Sequence, residues 1–259
     1  MDKSLNYIHP DAKIGKDVVI EPFTFIDKDV EIGEGTWIGP NVTINSGARI
    51  GKNCKIYSGA TISAVPQDLK FSGEITTTEI GDNSVIREYV NISRGTNDRK
   101  VTKIGANTLI MAYVHIAHDC VIGDNCILVN SVQVGGHVSI DDWAIIGGAT
   151  AIHQFVKIGS HVMISGGSLV RKDVPPYVKA AREPLTYCGI NSVGLRRRGF
   201  SNERINDIQE IYRSLYLSGK NNAEALENIE TLIRSSEERD NITAFVRKSE
   251  RGIMKGYGN

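Results

Sequence analysis

From Ile8 to Val170 almost every sixth residue of this chain is isoleucine, leucine or valine, a period that suits neither an amphipathic helix nor a hairpin meander. Of the 28 positions in this register 25 are aliphatic, and the exceptions are Asp68, Glu74 and Asp98. Two residues before each aliphatic stands a small or β-branched residue, such as Ala12, Val18, Thr24, Val42, Ala60, Val114, Cys120, Cys126 and Ala144. Glycine often follows it, as at Gly15, Gly33, Gly39, Gly51, Gly81, Gly105, Gly123, Gly135, Gly147 and Gly159. Alternation within the hexad marks a short strand, and the glycine marks a bend needing unusual backbone angles. Hexads of this kind imply a parallel β-helix, in which three of them close one triangular coil of 18 residues around a narrow aliphatic interior.

The handedness is not in the period. It comes from resemblance, because the repeat is similar to the left-handed parallel β-helix of the hexapeptide-repeat acyltransferases, which are usually trimers. The register also accounts for three of the four cysteines: Cys54, Cys120 and Cys126 all hold the small inward position, where packing explains them. No CxxC pair is present, so neither a zinc site nor a disulfide framework is suggested.

Two segments lose the aliphatic and turn polar, residues 63–79 and 93–103, as excursions from a coil should. A long loop on a rigid prism is suited to covering a site or a neighbouring subunit. Asp173-Val-Pro-Pro-Tyr-Val178 is expected to end the coils, since consecutive prolines cannot join a ladder. Helices are expected over Ser201 to Leu217, Asn222 to Arg234 and about Asp240 to Lys255. Ile205, Ile208, Ile211, Tyr212 and Leu215 form the apolar stripe of the first of these, packed on the prism or on a neighbouring subunit. The chain thus reads as a β-helix over 1–190 followed by a small α-helical domain over 191–259. Lysine plus arginine balances aspartate plus glutamate at 30 each, which argues against nucleic acid or a membrane surface as partner. The N-terminal stretch has no continuous apolar run, and nothing approaches the roughly 18 apolar residues of a membrane span, so a reducing cytoplasmic setting is expected.

Because positions 104–170 are unbroken, residues 18 apart should stack on adjacent coils at about 4.8 Å. Asp119 then lies beneath His137 and Phe155, His118 beneath Gly136 and Gln154, and Ala117 beneath Gly135 and His153. His115 lies beneath Gln133 and points outwards, since Val114 and Ile116 take the inward slots. His9 and His161 stand alone and read as ordinary surface histidines. The column of His118, Asp119, His137, His153 and Gln154 is different, because clustered polar groups on a regular scaffold mark a site.

Histidine can take a proton from a hydroxyl at neutral pH, and an adjacent carboxylate can fix its tautomer and stabilise the imidazolium. Gly136, lacking a side chain, can offer an N–H to the oxyanion of a tetrahedral intermediate. A base with an oxyanion donor and no nucleophilic serine or cysteine suggests direct acyl transfer to a hydroxyl. The rival chemistry is zinc held by three histidines between subunits, as in the γ-class carbonic anhydrases. Asp119 beside His118 better suits the orientation of a base, so no metal is expected.

His115-Ile-Ala-His-Asp-Cys120, Ala151-Ile-His-Gln-Phe155, Asp173-Val-Pro-Pro-Tyr-Val178, Gly194-Leu-Arg-Arg-Arg-Gly-Phe200 and Pro66-Gln-Asp-Leu-Lys70 together resemble the UDP-N-acetylglucosamine 3-O-acyltransferases that begin lipid A synthesis. The resemblance covers nearly the whole chain. It implies transfer of an (R)-3-hydroxyacyl group from acyl carrier protein to the sugar 3-hydroxyl by a homotrimer. No cofactor would be bound permanently, since the acyl thioester arrives on the carrier's 4'-phosphopantetheine. On this analogy His118 is the base, Asp119 orients it and Gly136 supplies the oxyanion N–H. Asp68 and Lys70 would reach donor or sugar nucleotide at a subunit boundary. His115, His137, His153 and Gln154 would line the sugar and acyl sites, and Asn191, Arg197 and Arg198 would contact phosphate or pantetheine. Met163, Ser165 and Gly166 would bound the acyl groove. Val193 stands where the family pattern leads one to expect an acidic sugar-nucleotide contact.

Other functions on the same scaffold are weighed against this. The N-acyltransferases of the same pathway carry an extra domain before their coils, whereas hexads here begin at Ile8. A coenzyme-A acetyltransferase would share the hexads. A non-catalytic ice-binding array would need a flat face of repeated threonines, and the outward residues here are mixed and charged.

Overall fold

In the computed structural model, which describes residues 5–256, the hexads wind into a left-handed parallel β-helix. The outer ends of the two expected domains, residues 1–4 and 257–259, lie outside the described residues. Most strands are only two residues long, and in those from Phe25–Ile26 onwards the residue of the six-residue register is the buried, inward one. They stack into three sheets of 9, 8 and 10 strands, parallel except for one terminal strand of the third, here called the first, second and third faces and visited in that order once per coil. Ile26, Ile38, Ile44, Ile56, Ile62, Ile86, Ile92, Ile110 and Ile116 are wholly buried along the axis. Each such side chain contributes roughly 1.5–3 kcal/mol by leaving water.

The spacing of coils follows the expected rule. Ile104 pairs with Ile122, Ile122 with Ile140 and Ile140 with Ile158, each 18 residues apart. Earlier the separation widens: Ile50 pairs with Ile80, and Ile80 with Ile104. The first excursion therefore adds two hexads and the second adds one, which is why the six-residue register survives both. Both depart between the first and second faces, so they project from the same corner of the prism.

The glycines have a different cause from the one expected. Those that follow the aliphatic have no positive φ; the left-handed residue comes two positions later and is usually not glycine, as at Asn53 (φ 53°), Asn107 (φ 54°), Asp119 (φ 59°) and His137 (φ 62°). What the glycine provides is room. A Cβ on Gly33 would lie 2.5 Å from the carbonyl carbon of Gly51 one coil on. The small inward residues serve the corners as well: Thr36 Oγ1 donates to Gly51 O at 2.9 Å, and the Cys120 thiol to Gly135 O at 3.1 Å. Burial pushes the Cys120 and Cys126 thiols up to about 12, which leaves them as packing groups.

The prolines do not end the coils. Val174 still bridges Ile158, a strand at Val178–Ala181 still pairs in parallel with Met163–Ile164, and only Thr186–Ile190 turns back antiparallel. Four helices follow: α1 (Ser192–Arg197), α2 (Asn202–Leu217), α3 (Asn222–Leu232) and α4 (Glu237–Arg247). Each is capped by a side-chain oxygen, from Asn191, Ser201, Asn221 and Ser236 in turn. The short α1 was not expected, and α3 stops at Leu232 because Ile233 is already extended. The last helix lies earlier than its expected range of 240 to 255, because the tail after Arg247 is drawn into bridges from Ile253 to Asp173 and from Lys255 to Thr186. The stripe of Ile205, Ile208, Ile211, Tyr212 and Leu215 is buried against the end of the prism of the same chain, where the Tyr212 hydroxyl donates to Pro176 O at 2.6 Å.

Candidate active site

The corner that carries both excursions also carries His118, Asp119, Gly136 and His137. Asp119 takes the left-handed position of its hexad, so its side chain turns into the corner, where it is fully buried. The second excursion folds over it. The Asp119 carboxylate accepts from the amides of Thr96 (3.0 Å) and Arg99 (3.1 Å) on Oδ1, and from the Thr96 hydroxyl (2.6 Å) on Oδ2. His118 Nδ1 lies 2.9 Å from the same Oδ2. Burial alone would raise the Asp119 pKa, but the hydrogen bonds from Thr96, His118 and Arg99 outweigh it and hold the carboxyl below its ordinary range.

With Nδ1 engaged, Nε2 is the free nitrogen of His118, and Gly136 lies directly over it. A Cβ on Gly136 would sit 2.8 Å from His118 Cε1 and 2.9 Å from Nε2. The Gly136 N–H has no hydrogen-bond partner among the described residues, while its carbonyl accepts from Phe155 N at 3.0 Å. A base nitrogen and a bare amide thus share one spot on the prism.

His137 closes the side of this spot, edge-on to His118 with ring centroids 5.1 Å apart and stacked on Phe155 at 4.4 Å. Its Nδ1 approaches Asp98 Oδ2 to 3.0 Å at an angle that makes no hydrogen bond, and its Nε2 lies 3.9 Å from Asp119 Oδ2. Among the described residues His118, Asp119 and His137 are the one trio with ligand atoms mutually within 4.8 Å. The Asp119 oxygens already accept from four groups, an arrangement that suits orientation of a base better than metal ligation.

A groove of about 590 Å³ opens beside His137 and Phe155, and Asp68, Lys70, Glu74, Thr96, Asn97 and Asp98 line the rest of it. Asp68 and Lys70 are therefore brought to the site within one chain. Glu74 fastens the two excursions to each other, accepting from the Ser72 amide at 2.8 Å and from the Asn97 amide at 3.2 Å.

The remaining expected residues are spread more widely. His115 points outwards from the first face, half-buried, with Nδ1 2.9 Å from Asn91 Oδ1, and burial and the nearby His118 lower its pKa. His153 and Gln154 continue the column but are exposed, and His153 Nδ1 is met by Arg251 of the tail at 3.2 Å. Met163 lies on the third face, and Ser165 and Gly166 at the corner where that face turns into the first, with Gly166 standing over Gly148.

Asn191 is buried and occupied: it caps α1 through Gly194 N at 3.3 Å and donates to His161 O at 3.0 Å. Arg198 lies over the Trp143 ring at 5.2 Å and against His161 Nδ1 at 3.4 Å, at the corner between the second and third faces. Arg197 is exposed without a partner among the described residues. A single chain thus does not bring these three to His118. His161 is also no surface histidine: it is stacked between Trp143 and Tyr177, and burial, with Arg198 and Arg204 nearby, lowers its pKa to about 4.

Reasoning from periodicity missed Glu74, Thr96, Asp98 and Arg99, because they sit where the period fails, and Asn91, an outward residue of an intact hexad. The signal was there: Glu74 and Asp98 are two of the three non-aliphatic residues in the register.

The pattern of a family described as Udp N-acetylglucosamine O-acyltransferase; Domain 2 matches residues 173–254, and that of the bacterial transferase hexapeptide matches residues 29–64 and 102–136. Among solved structures, LpxA from Bacteroides fragilis, a UDP-N-acetylglucosamine acyltransferase, is 50% identical over 98% of this chain and 100% of its own, with a TM-score of 0.97. LpxA from Acinetobacter baumannii is 43% identical over 97% of this chain and 98% of its own, with a TM-score of 0.94. The UDP-N-acetylglucosamine acyltransferase of Francisella novicida is 41% identical over 98% and 94%, with a TM-score of 0.95.

Proposed function

The chain belongs to the UDP-N-acetylglucosamine acyltransferases, and from that premise we propose that it moves an (R)-3-hydroxyacyl group from acyl carrier protein to the sugar 3-hydroxyl with His118 as general base. It is an acyltransferase of lipid A synthesis. The observation that carries the proposed mechanism is the stack of Gly136 on the free nitrogen of a histidine whose other nitrogen is held by a buried carboxylate.

Asp119 accepts the Nδ1–H of His118, leaving a lone pair on Nε2. That nitrogen takes the proton of the sugar 3-hydroxyl as its oxygen attacks the thioester carbonyl carbon. The carbonyl oxygen becomes the oxyanion and accepts from the Gly136 N–H. Collapse breaks the carbon–sulfur bond, and the thiol of the carrier's 4'-phosphopantetheine leaves with the proton from the His118 imidazolium. The protonated base is stabilised meanwhile by Asp119. Lys70 and Asp68 in the adjoining groove hold the sugar nucleotide or donor, His115, His137, His153 and Gln154 flank it, and the acyl chain runs towards Met163, Ser165 and Gly166.

Trimerisation is part of this reading. The outer side of the third face carries Leu109, Ile127, Ile145 and Met163 on successive coils, an apolar stripe left half-buried to exposed among the described residues. A neighbouring copy on that stripe supplies what one chain lacks, and Asn191, Arg197 and Arg198 then belong to a site completed across the boundary. No helix among the described residues is long and apolar enough to cross a membrane, and a cytoplasmic site of action fits a carrier-protein donor.

The deciding experiment is turnover of UDP-N-acetylglucosamine with hydroxyacyl carrier protein by His118→Ala, alongside light scattering of the purified protein. The variant should remain a trimer, bind the sugar nucleotide and lose turnover by a factor on the order of a thousand or more. Turnover within about threefold of wild type would remove His118 from the role. Stoichiometric zinc in the active protein, with activity lost on chelation, would replace the reading with a metal centre on His118, Asp119 and His137.

A further inference from the structure

We infer that Thr96 is a positioning residue for the reaction: its hydroxyl, held by the second excursion, fixes the orientation of Asp119 and through it the tautomer of His118. This rests on the reading of His118 as the base and goes beyond it, since Thr96 belongs to none of the repeats and contacts His118 only through Asp119.

The direction of each hydrogen bond around Thr96 is determined. The Asp98 amide donates to Thr96 Oγ1 at 3.3 Å, so the hydroxyl proton is free to go elsewhere. It goes to Asp119 Oδ2 at 2.6 Å, a length expected for a hydroxyl on an ionised carboxylate. The other oxygen, Oδ1, faces two backbone amides, Thr96 N at 3.0 Å and Arg99 N at 3.1 Å, which can only donate. Three donors from one loop therefore fix the plane of the carboxylate and its ionised state. The single remaining hydrogen bond on Oδ2 is with His118 Nδ1 at 2.9 Å, so in the neutral ring that nitrogen carries the proton and Nε2 holds the lone pair. His118 is thereby a base before substrate arrives.

The loop is itself anchored at several points. Arg99 Nη1 donates to Asp119 O at 2.9 Å, the Asp119 amide donates to Thr102 Oγ1 at 2.8 Å, and Glu74 ties Asn97 to the first excursion. The charged or titratable groups around Asp119 are His118 on its own corner, the buried Cys120 thiol next in the chain, His137 one coil above at 3.9 Å, and Arg99 on the loop, with Asp98 reaching it only through His137. Thr96 is the one of these contacts on the carboxylate whose side chain can be changed without altering a charge.

The test compares Thr96→Val with Thr96→Ser. Loss of a hydrogen bond to a buried charged group should lower kcat of Thr96→Val roughly 10- to 100-fold. KM for UDP-N-acetylglucosamine should stay within about twofold, and the acid limb of the kcat–pH profile should move to higher pH because Asp119 loses a donor. Thr96→Ser should recover kcat to within about threefold of wild type. Nitrogen-15 spectra of the resting enzyme provide a readout that needs no turnover: His118 should be an Nδ1–H tautomer in wild type and Thr96→Ser, and a mixture in Thr96→Val. An unchanged tautomer and pH profile in Thr96→Val would overturn the inference while leaving His118 as base. Equal losses in Thr96→Ser and Thr96→Val would overturn it as well, since the hydroxyl would then not be the active feature. Failure of the parent reading shows differently, as turnover retained by His118→Ala.

Discussion

Gly136 stands one coil above His118 with no space for a side chain: a β-carbon there would come within 2.9 Å of the Nε2 nitrogen. The glycine therefore does two things at once, leaving the imidazole in place and exposing an amide beside it. Gly136→Ala is expected to push the ring from its position on Asp119 and screen the N–H. Turnover should fall by about two orders of magnitude, as when an oxyanion donor is lost, while the melting temperature moves by only a few degrees. A steady-state assay paired with thermal unfolding checks this, and full activity would refute the oxyanion role.

Asp119→Asn should be more damaging than its size suggests. The Thr96 and Arg99 amides require an acceptor on Oδ1, so the amide oxygen must face them. The NH₂ group then points at His118 Nδ1, which must become an acceptor, and the proton shifts to Nε2. A base protonated on its working nitrogen cannot act, and kcat should fall on the order of 10³–10⁴-fold. The same substitution tests linkage. Because the folded pKa of Asp119 is lowered, its stabilising contribution is present above the unfolded carboxyl value and is lost as pH falls through the folded one. Acid unfolding curves of wild type and D119N should therefore differ in slope below the ordinary carboxyl range.

The scaffold was legible in the residues themselves because a six-residue period leaves few ways to bury Ile26, Ile44 or Ile116, and an unbroken run fixes what lies over what. That is why Gly136 could be placed over His118 from numbering alone. The opposite holds for Thr96 and Arg99, whose positions depend on how an insertion folds back over its own corner. The helices were readable from caps such as Ser201 and Asn221, but the tail beyond Arg247 was not, since its bridges to Asp173 and Thr186 are made by backbone. Bends were misattributed for a physical reason too: at Gly33 the constraint is the next coil, which lies outside any local window.

His161 makes a stability prediction of definite sign. Burial between Trp143 and Tyr177, with Arg198 and Arg204 nearby, keeps its folded pKa at about 4 against an ordinary value of 6.5. Between those values the unfolded chain binds a proton that the folded one refuses, so stability rises with pH across this window and is lost as pH falls from about 6.5 towards 4. His161→Phe keeps the stack and removes the titration. Its melting temperature should fall less than that of wild type between pH 7 and pH 4.5, and parallel curves would show that His161 does not supply the slope.

Gly166→Met tests where the acyl chain ends. Gly166 is exposed at the edge of the first face, and its nearest neighbour there is Gly148, whose carbonyl oxygen would lie 3.0 Å from an added Cβ. That contact is tight for a Cβ, so the local backbone must give by a few tenths of an ångström. If the acyl tail runs from His118 across the first face to this edge, methionine occupies its last methylenes. Each methylene refused from an apolar groove is worth roughly 0.8 kcal/mol, so preference should move towards shorter chains by about fourfold per carbon, or roughly tenfold or more per carbon pair. The measurement is a competition among carrier proteins loaded with hydroxyacyl chains of graded length, reading kcat/KM for each. A uniform loss across all lengths would mean that the substitution merely distorts the corner. An unchanged order would place the end of the groove elsewhere than Gly166, and Met163, one strand away on the third face, would be the next residue to vary.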